Sequence, residues 1–152
     1  MKNQFLEISA VSSGPVDKPL KVLLLADDEH PANTFIDYIE SIVSESCHDI
    51  HLINPINSQC PENLSKREYD AIIIHCSITI TESYYLSAKW VKGITHFDGI
   101  KVQIVQDEYR WINKMKAQMR CLGVQAIFSS LSKENAEMVY SGEFMSDIKV
   151  FS

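Results

Sequence analysis

Glycine is scarce in this sequence, five residues in 152, and neither a GxGxxG after the first apolar run nor a GxxxxGK[ST] occurs. The usual devices by which α/β proteins grip a dinucleotide or a nucleoside triphosphate are therefore missing. Four cysteines are present, Cys47, Cys60, Cys76 and Cys121, but none has a partner two to four residues away as structural zinc requires. Cys47 and His48 are adjacent, which is poor ligand geometry. No stretch approaches the roughly 20 apolar residues of a spanning helix. No run before Lys21 has the length or apolarity of a signal peptide. Net positive charge is lacking too: the formal charge is -6 at pH 7, which argues against broad attraction to nucleic acid or anionic membrane. The basic residues Arg110, Lys114, Lys116 and Arg120 read as a solvated helix surface. These absences describe a reduced, cytoplasmic protein that spans no membrane, binds no nucleic acid and carries no cofactor.

With 45% apolar and 22% charged residues, the chain has the composition of an ordinary globular domain. Residues 1–19, with Ser12, Ser13, Gly14, Pro15 and Pro19, read as a loose arm, and residues 20–152 as one domain. Val22 to Ala26 is a buried strand stopped by Asp27, Asp28, Glu29 and His30, with Pro31 placed for the first turn of a helix carrying Phe35, Ile36, Ile39, Ile42 and Val43 on one face. Ile50 to Ile53 is a brief second strand and Tyr69 to His75 a third, apolar in succession as in a strand covered on both faces. Residues 83–92 form a weaker helix closed by Gly93. Lys101 to Arg120 reads as a fourth strand running into an amphipathic helix, with Trp111 on its apolar face and Gly123 at its end. Val124 to Phe128, a short helix capped by Ser132, and Ile148 to Phe151 complete the pattern. Strands alternating with helices predict a Rossmann-like or flavodoxin-like three-layer α/β sandwich, a mostly parallel sheet of five to six strands with helices on both faces.

In such sheets ligands settle outside the carboxyl ends of the strands. If the first, third and fourth strands are neighbours, one rim gathers Asp27, Asp28, Glu29, His30, His75, Cys76, Ser77, Gln106, Asp107, Glu108, Tyr109 and Arg110. Carboxylates and imidazoles in that number can hold a divalent cation or move protons, but strand ends are polar in any α/β domain, and the rim reads as hydrogen-bonded, not metal-binding. Cys76 beside His75 suggests a thiolate nucleophile, but neighbours in a strand point to opposite faces, which excludes the side-chain pair. Tyr109 is placed to line the rim and stack on a flat ligand such as a sugar ring. Arg110 can meet an anion or pair with Asp107 or Glu108.

The segments ANTFIDYIESI (32–42), HDIHLINP (48–55), YDAIIIHCSI (69–78) and KVQIVQDEYRWINKMKAQMRCLGVQAIF (101–128) resemble, in that order, the N-terminal region of bacterial GT-B-type glycosyltransferases of surface-polysaccharide synthesis. The likeness runs through about residues 20 to 145, and HCS and QDEYRW are its most specific parts. It implies one Rossmann-like half of a two-domain enzyme, the half that faces a glycan or lipid-linked acceptor and is inactive by itself. The donor-binding C-terminal half is then expected in the same or another chain. On this resemblance His75, Ser77, Gln106, Asp107, Glu108, Tyr109 and Arg110 line the interdomain cleft, with Asp27, Asp28 and His30 as a secondary rim; no catalytic residue is implied.

LLLADDEH (23–30) also looks like the first strand and acidic pair of a response-regulator receiver domain. Phosphotransfer there needs an aspartate where His75 stands, a Ser or Thr near Val105 and Gln106, and a lysine near Ser129 and Ser130. The alternative reading is therefore a degenerate, non-phosphorylated receiver used as a protein-interaction module.

Overall fold

The computed structural model describes residues 18–64, 68–142 and 145–152; nearly all of the N-terminal arm of the sequence reading lies outside them. Six strands form one parallel sheet: β1 (Lys21–Leu25), β2 (Asp49–Ile53), β3 (Ala71–Ile74), β4 (Ile100–Val105), β5 (Ala126–Ser129) and β6 (Lys149–Phe151), in the order β2-β1-β3-β4-β5-β6. Four helices connect them: α1 (Asn33–Glu45), α2 (Ala88–His96), α3 (Ile112–Leu122) and α4 (Lys133–Val139). The chain moves outward from β1 to β2, returns across β1 to β3, and then proceeds the other way. That reversal makes the β1/β3 junction the topological switch point of the sheet. The three-layer α/β sandwich expected from the sequence is the observed fold.

Strand alternation divides the core into two layers. On one face Leu24 and Ala26 pack with Ile39 of α1. On the other, Leu23, Leu25, Ile72 and Ile74 pack with Trp90 and Ile94 of α2, Met119 and Leu122 of α3, and Ala136 of α4. In β4 the side toward this larger layer carries Lys101, Gln103 and Val105, all buried, whereas Ile100 is half exposed. The apolar run of β4 thus hides two polar side chains. Their nitrogens bond internally: Lys101 Nζ donates to Ile94 O (3.2 Å), and Gln103 Nε2 donates to Ile74 O (3.3 Å) and Ile104 O (2.8 Å).

Several boundaries depart from the sequence reading: β3 is shorter than Tyr69 to His75, and β5 begins at Ala126, not Val124. Pro31 lies ahead of α1, not in its first turn, because His30 Nδ1 accepts the Ala32 N–H (3.1 Å) and holds that N-cap residue extended. Residues 83–85 form a turn, and α2 starts after Ser87, whose hydroxyl accepts from Trp90 N–H (3.5 Å). Gly93 does not close α2 but lies inside it: a Cβ there would run into Cys60 Sγ and approach Leu64 at 3.2 Å, so any larger residue forces the side chains packed against the helix to shift. Gly123 does end α3, in the left-handed conformation (φ 74°), and Ser132 does cap α4, accepting from Asn135 N–H (3.4 Å).

Candidate functional site

At the switch point, His75 follows β3 and is fully buried. Its Nδ1 accepts the Ser77 N–H (3.1 Å) and lies 2.9 Å from Ser77 Oγ, while that same oxygen accepts the Asp27 N–H (2.9 Å) from the end of β1. The donations run Asp27 N–H to Ser77 Oγ and Ser77 O–H to His75 Nδ1, which requires the neutral imidazole with its proton on Nε2. Phe35 and Tyr38 of α1 present their rings edge-on at 5.9 Å and 4.9 Å. Burial, and then the nearby His30, pushes the His75 pKa down to about 4. His75 is thus a neutral tie between two strand ends.

Cys76 comes within 3.7 Å of His75 Nε2, closer than the strand-alternation argument allowed, because β3 ends at Ile74 and alternation no longer holds beyond it. The contact is not an activated pair. Burial chiefly, with Asp107 and Glu108 adding to it, pushes the thiol up to about 11, whereas a thiolate nucleophile needs a depressed pKa. The acidic rim is likewise engaged within the fold. Asn54 Nδ2 donates to Asp27 Oδ1 (3.1 Å) and Asp28 Oδ1 (3.0 Å), and Asn57 Nδ2 donates to Glu29 Oε2 (2.8 Å). Among the described residues, no three His, Cys, Asp or Glu side chains are grouped as a metal ion requires.

The β4–α3 loop is shaped by two non-glycine residues in left-handed backbone, Asp107 (φ 60°) and Trp111 (φ 53°). Such conformations are uncommon for aspartate and costly for a bulky residue. Between them Glu108 turns inward, only 3% exposed, and accepts from the hydroxyls of Ser129 and Ser130 at the end of β5. Tyr140 is buried close by, its hydroxyl pKa raised by burial and by the Glu108 carboxylate. Glu108 therefore pegs the loop to the fold. Tyr109 points to solvent, 80% exposed. Trp111, expected in the core, is instead 74% exposed, because it is the N-cap of α3 and its left-handed φ takes it off the apolar helix face.

A cleft of about 460 Å³ opens between the carboxyl ends of β3 and β4 and the start of α3, within the size range of small-ligand sites. Its polar lining includes Ser77, Thr79, Thr81, Gln106, Asp107 and Arg110, and its apolar lining Phe35, Ile78, Ile80, Trp111 and Met115. Of the rim residues singled out from sequence, His30, Cys76, Ser77, Gln106, Asp107 and Arg110 line this cleft. His75 and Glu108 support it from beneath, and Tyr109, Asp27 and Asp28 stand outside its lining. Arg110 makes no ion pair with Asp107 or Glu108 among the described residues; the basic residues of α3 that do pair are Lys114, with Glu82 (3.0 Å), and Arg120, with Asp147. Gln103, which the sequence reading passed over, also lines the cleft, and its Oε1 is buried with no donor among the described residues. Its O and N cannot be exchanged, since Nε2 meets two carbonyls. The available signal was a polar residue at an inward position of a central strand. The lining offers hydroxyls, amides, the exposed carboxylates of Glu82 and Asp107, the His30 imidazole and one guanidinium, a set suited to binding a polyhydroxylated ligand.

No family model matches the chain, and no curated protein is significantly similar to it. No helix among the described residues is long and apolar enough to cross a membrane.

Proposed function

We propose that this chain is the acceptor-side domain of a GT-B-like glycosyltransferase of polysaccharide synthesis, acting in the cytoplasm, binding a glycan or lipid-linked acceptor in the cleft, and inactive without a donor-binding half in the same or another chain. One observation carries the reading. HCS and QDEYRW, the two segments that best support the resemblance, come together as the walls of a single cleft, where the Cys76 thiol reaches Gln106 Oε1 at 3.7 Å across a separation of 30 residues. The site lies at the strand ends where α/β sheets bind ligands, and its hydroxyl, amide and carboxylate lining suits vicinal hydroxyl groups. The degenerate receiver is the weaker reading, since a buried neutral histidine follows β3 and a sixth parallel strand continues the sheet past β5.

The test is calorimetric titration of the chain with oligosaccharide fragments and with a lipid-linked acceptor analogue. Binding that weakens about tenfold in Asp107→Asn and in Arg110→Gln, each removing one charge-assisted contact, supports the proposal. Equal binding by both variants, or none by the parent, refutes it.

A further inference from the structure

Of the two non-glycine residues in left-handed backbone among the described residues, the bulkier packs into no core. Trp111 holds a left-handed φ of 53° yet leaves 74% of its surface exposed, at the edge of the cleft. Bulky side chains occupy that region at a cost, and such strain persists where the surroundings enforce it, often at ligand sites. Here the enforcement is visible: Glu108 pegs the loop to Ser129 and Ser130, and Met115 N–H bonds to Trp111 O (3.0 Å) to start α3. The Trp111 backbone is thus fixed where its side chain lines the cleft together with Asp107 and Arg110. Tyr109, the aromatic expected from sequence to stack on a ligand, is not part of the lining.

We infer that Trp111 is the stacking platform for a pyranose ring, with Asp107 and Arg110 positioned for its hydroxyls. This rests on the glycan-binding reading above and specifies its geometry. A pyranose is favoured over a nucleotide because the lining combines an aromatic face with hydroxyls, amides and the carboxylates of Glu82 and Asp107, while its basic residues among those described are Arg110 and His30 and the chain has no glycine-rich phosphate loop. A sugar ring presents C–H groups to an indole face and hydroxyls at its edge, which this arrangement matches.

The two tryptophans make the experiment self-controlled, since Trp90 is fully buried with its Nε1–H donated to Ser58 O (3.1 Å). The full chain is titrated with a panel of methyl pyranosides while the two indole N–H resonances are followed by NMR. The Trp111 signal moves and the Trp90 signal does not. Trp111→Ala weakens binding about tenfold, and Trp111→Phe retains most of it. Trp111→Gly is decisive: glycine accepts the left-handed backbone, so this variant melts no lower than the parent yet loses binding. If Trp111→Gly melts lower, the tryptophan is structural and the inference falls. If pyranosides shift Asp107 and Arg110 but leave Trp111 still, and Trp111→Gly binds as tightly as the parent, the inference falls while the glycan-binding reading stands. If no pyranoside moves any cleft resonance, or adenosine or uridine does so instead, both fall.

Discussion

Acidification should unfold this protein through His75 in a way that one substitution removes. The imidazole is buried and neutral, with its pKa lowered from 6.5 to about 4, first by burial and then by His30. Because the folded state binds a proton less readily than the unfolded chain, this group's contribution to stability is complete above pH 6.5 and is lost as the pH falls towards 4. At about 1.4 kcal/mol per pH unit the whole effect is ~3 kcal/mol, and ~2 kcal/mol of it is gone by about pH 5. His75→Asn is the control. Its Oδ1 stands in for Nδ1 as acceptor of the Ser77 N–H, but it does not titrate. Urea unfolding of both proteins, followed by the fluorescence of buried Trp90 at several pH values between about 7.5 and 4.5, should show the parent losing about 2 kcal/mol more than the variant by about pH 5. Groups remote from His75 contribute alike to both proteins and cancel in the difference. Parallel pH profiles would refute a buried, neutral His75.

Adjacent carboxylates should behave oppositely. Glu108→Ala strands the hydroxyls of Ser129 and Ser130 and should cost about 1–3 kcal/mol in denaturant melts, whereas Asp107→Asn, exposed and in a backbone conformation that asparagine accepts, should stay within about 0.5 kcal/mol. A similar loss in both would mean that Asp107 is structural too. Gly93→Ala should destabilise by about 1–3 kcal/mol despite the better helix propensity of alanine, because the new methyl meets Cys60 Sγ. Combining it with Cys60→Ala should recover part of that loss, and no recovery would place the strain elsewhere. Iodoacetamide should label exposed Cys47 and Cys121 well before Cys76, whose thiol burial pushes up to about 11; equal rates would contradict that environment.

The sheet was readable because its signals are local. Ile72 to Ile74 and Val22 to Ala26 are β-branched or leucine-rich runs bounded by polar clusters, Val124 to Phe128 is a mostly apolar run between Gly123 and two serines, and Gly123 and Ser132 mark helix ends by backbone chemistry that the residue type itself carries. The misreadings arose where a distant contact overrides the local pattern. Gly93 looks like a helix stop until Cys60 is known to pack on it. Trp111 falls on the apolar period of α3, yet its φ of 53° takes it out of that period. The same turn separates Asp107 from Glu108, one exposed beside the cleft and the other pegged beneath it, although the sequence presents them as one acidic pair. Gln103 escaped notice because it sits in an apolar strand, and its inward direction follows only from register with β3 and β5.

The central claim, that the cleft between β3 and β4 receives an acceptor glycan, is tested most directly by mapping backbone amide shifts of the full chain in two titrations. One adds oligosaccharide acceptor fragments, and the other adds Mg²⁺ with beryllofluoride. The account predicts that the glycan shifts Ser77, Gln106, Asp107 and Arg110 and that the phosphoryl mimic shifts nothing. Shifts at Asp27, Asp28 and His75 with the mimic, and none at the cleft with glycan, would contradict it and identify a receiver-type site at the switch point.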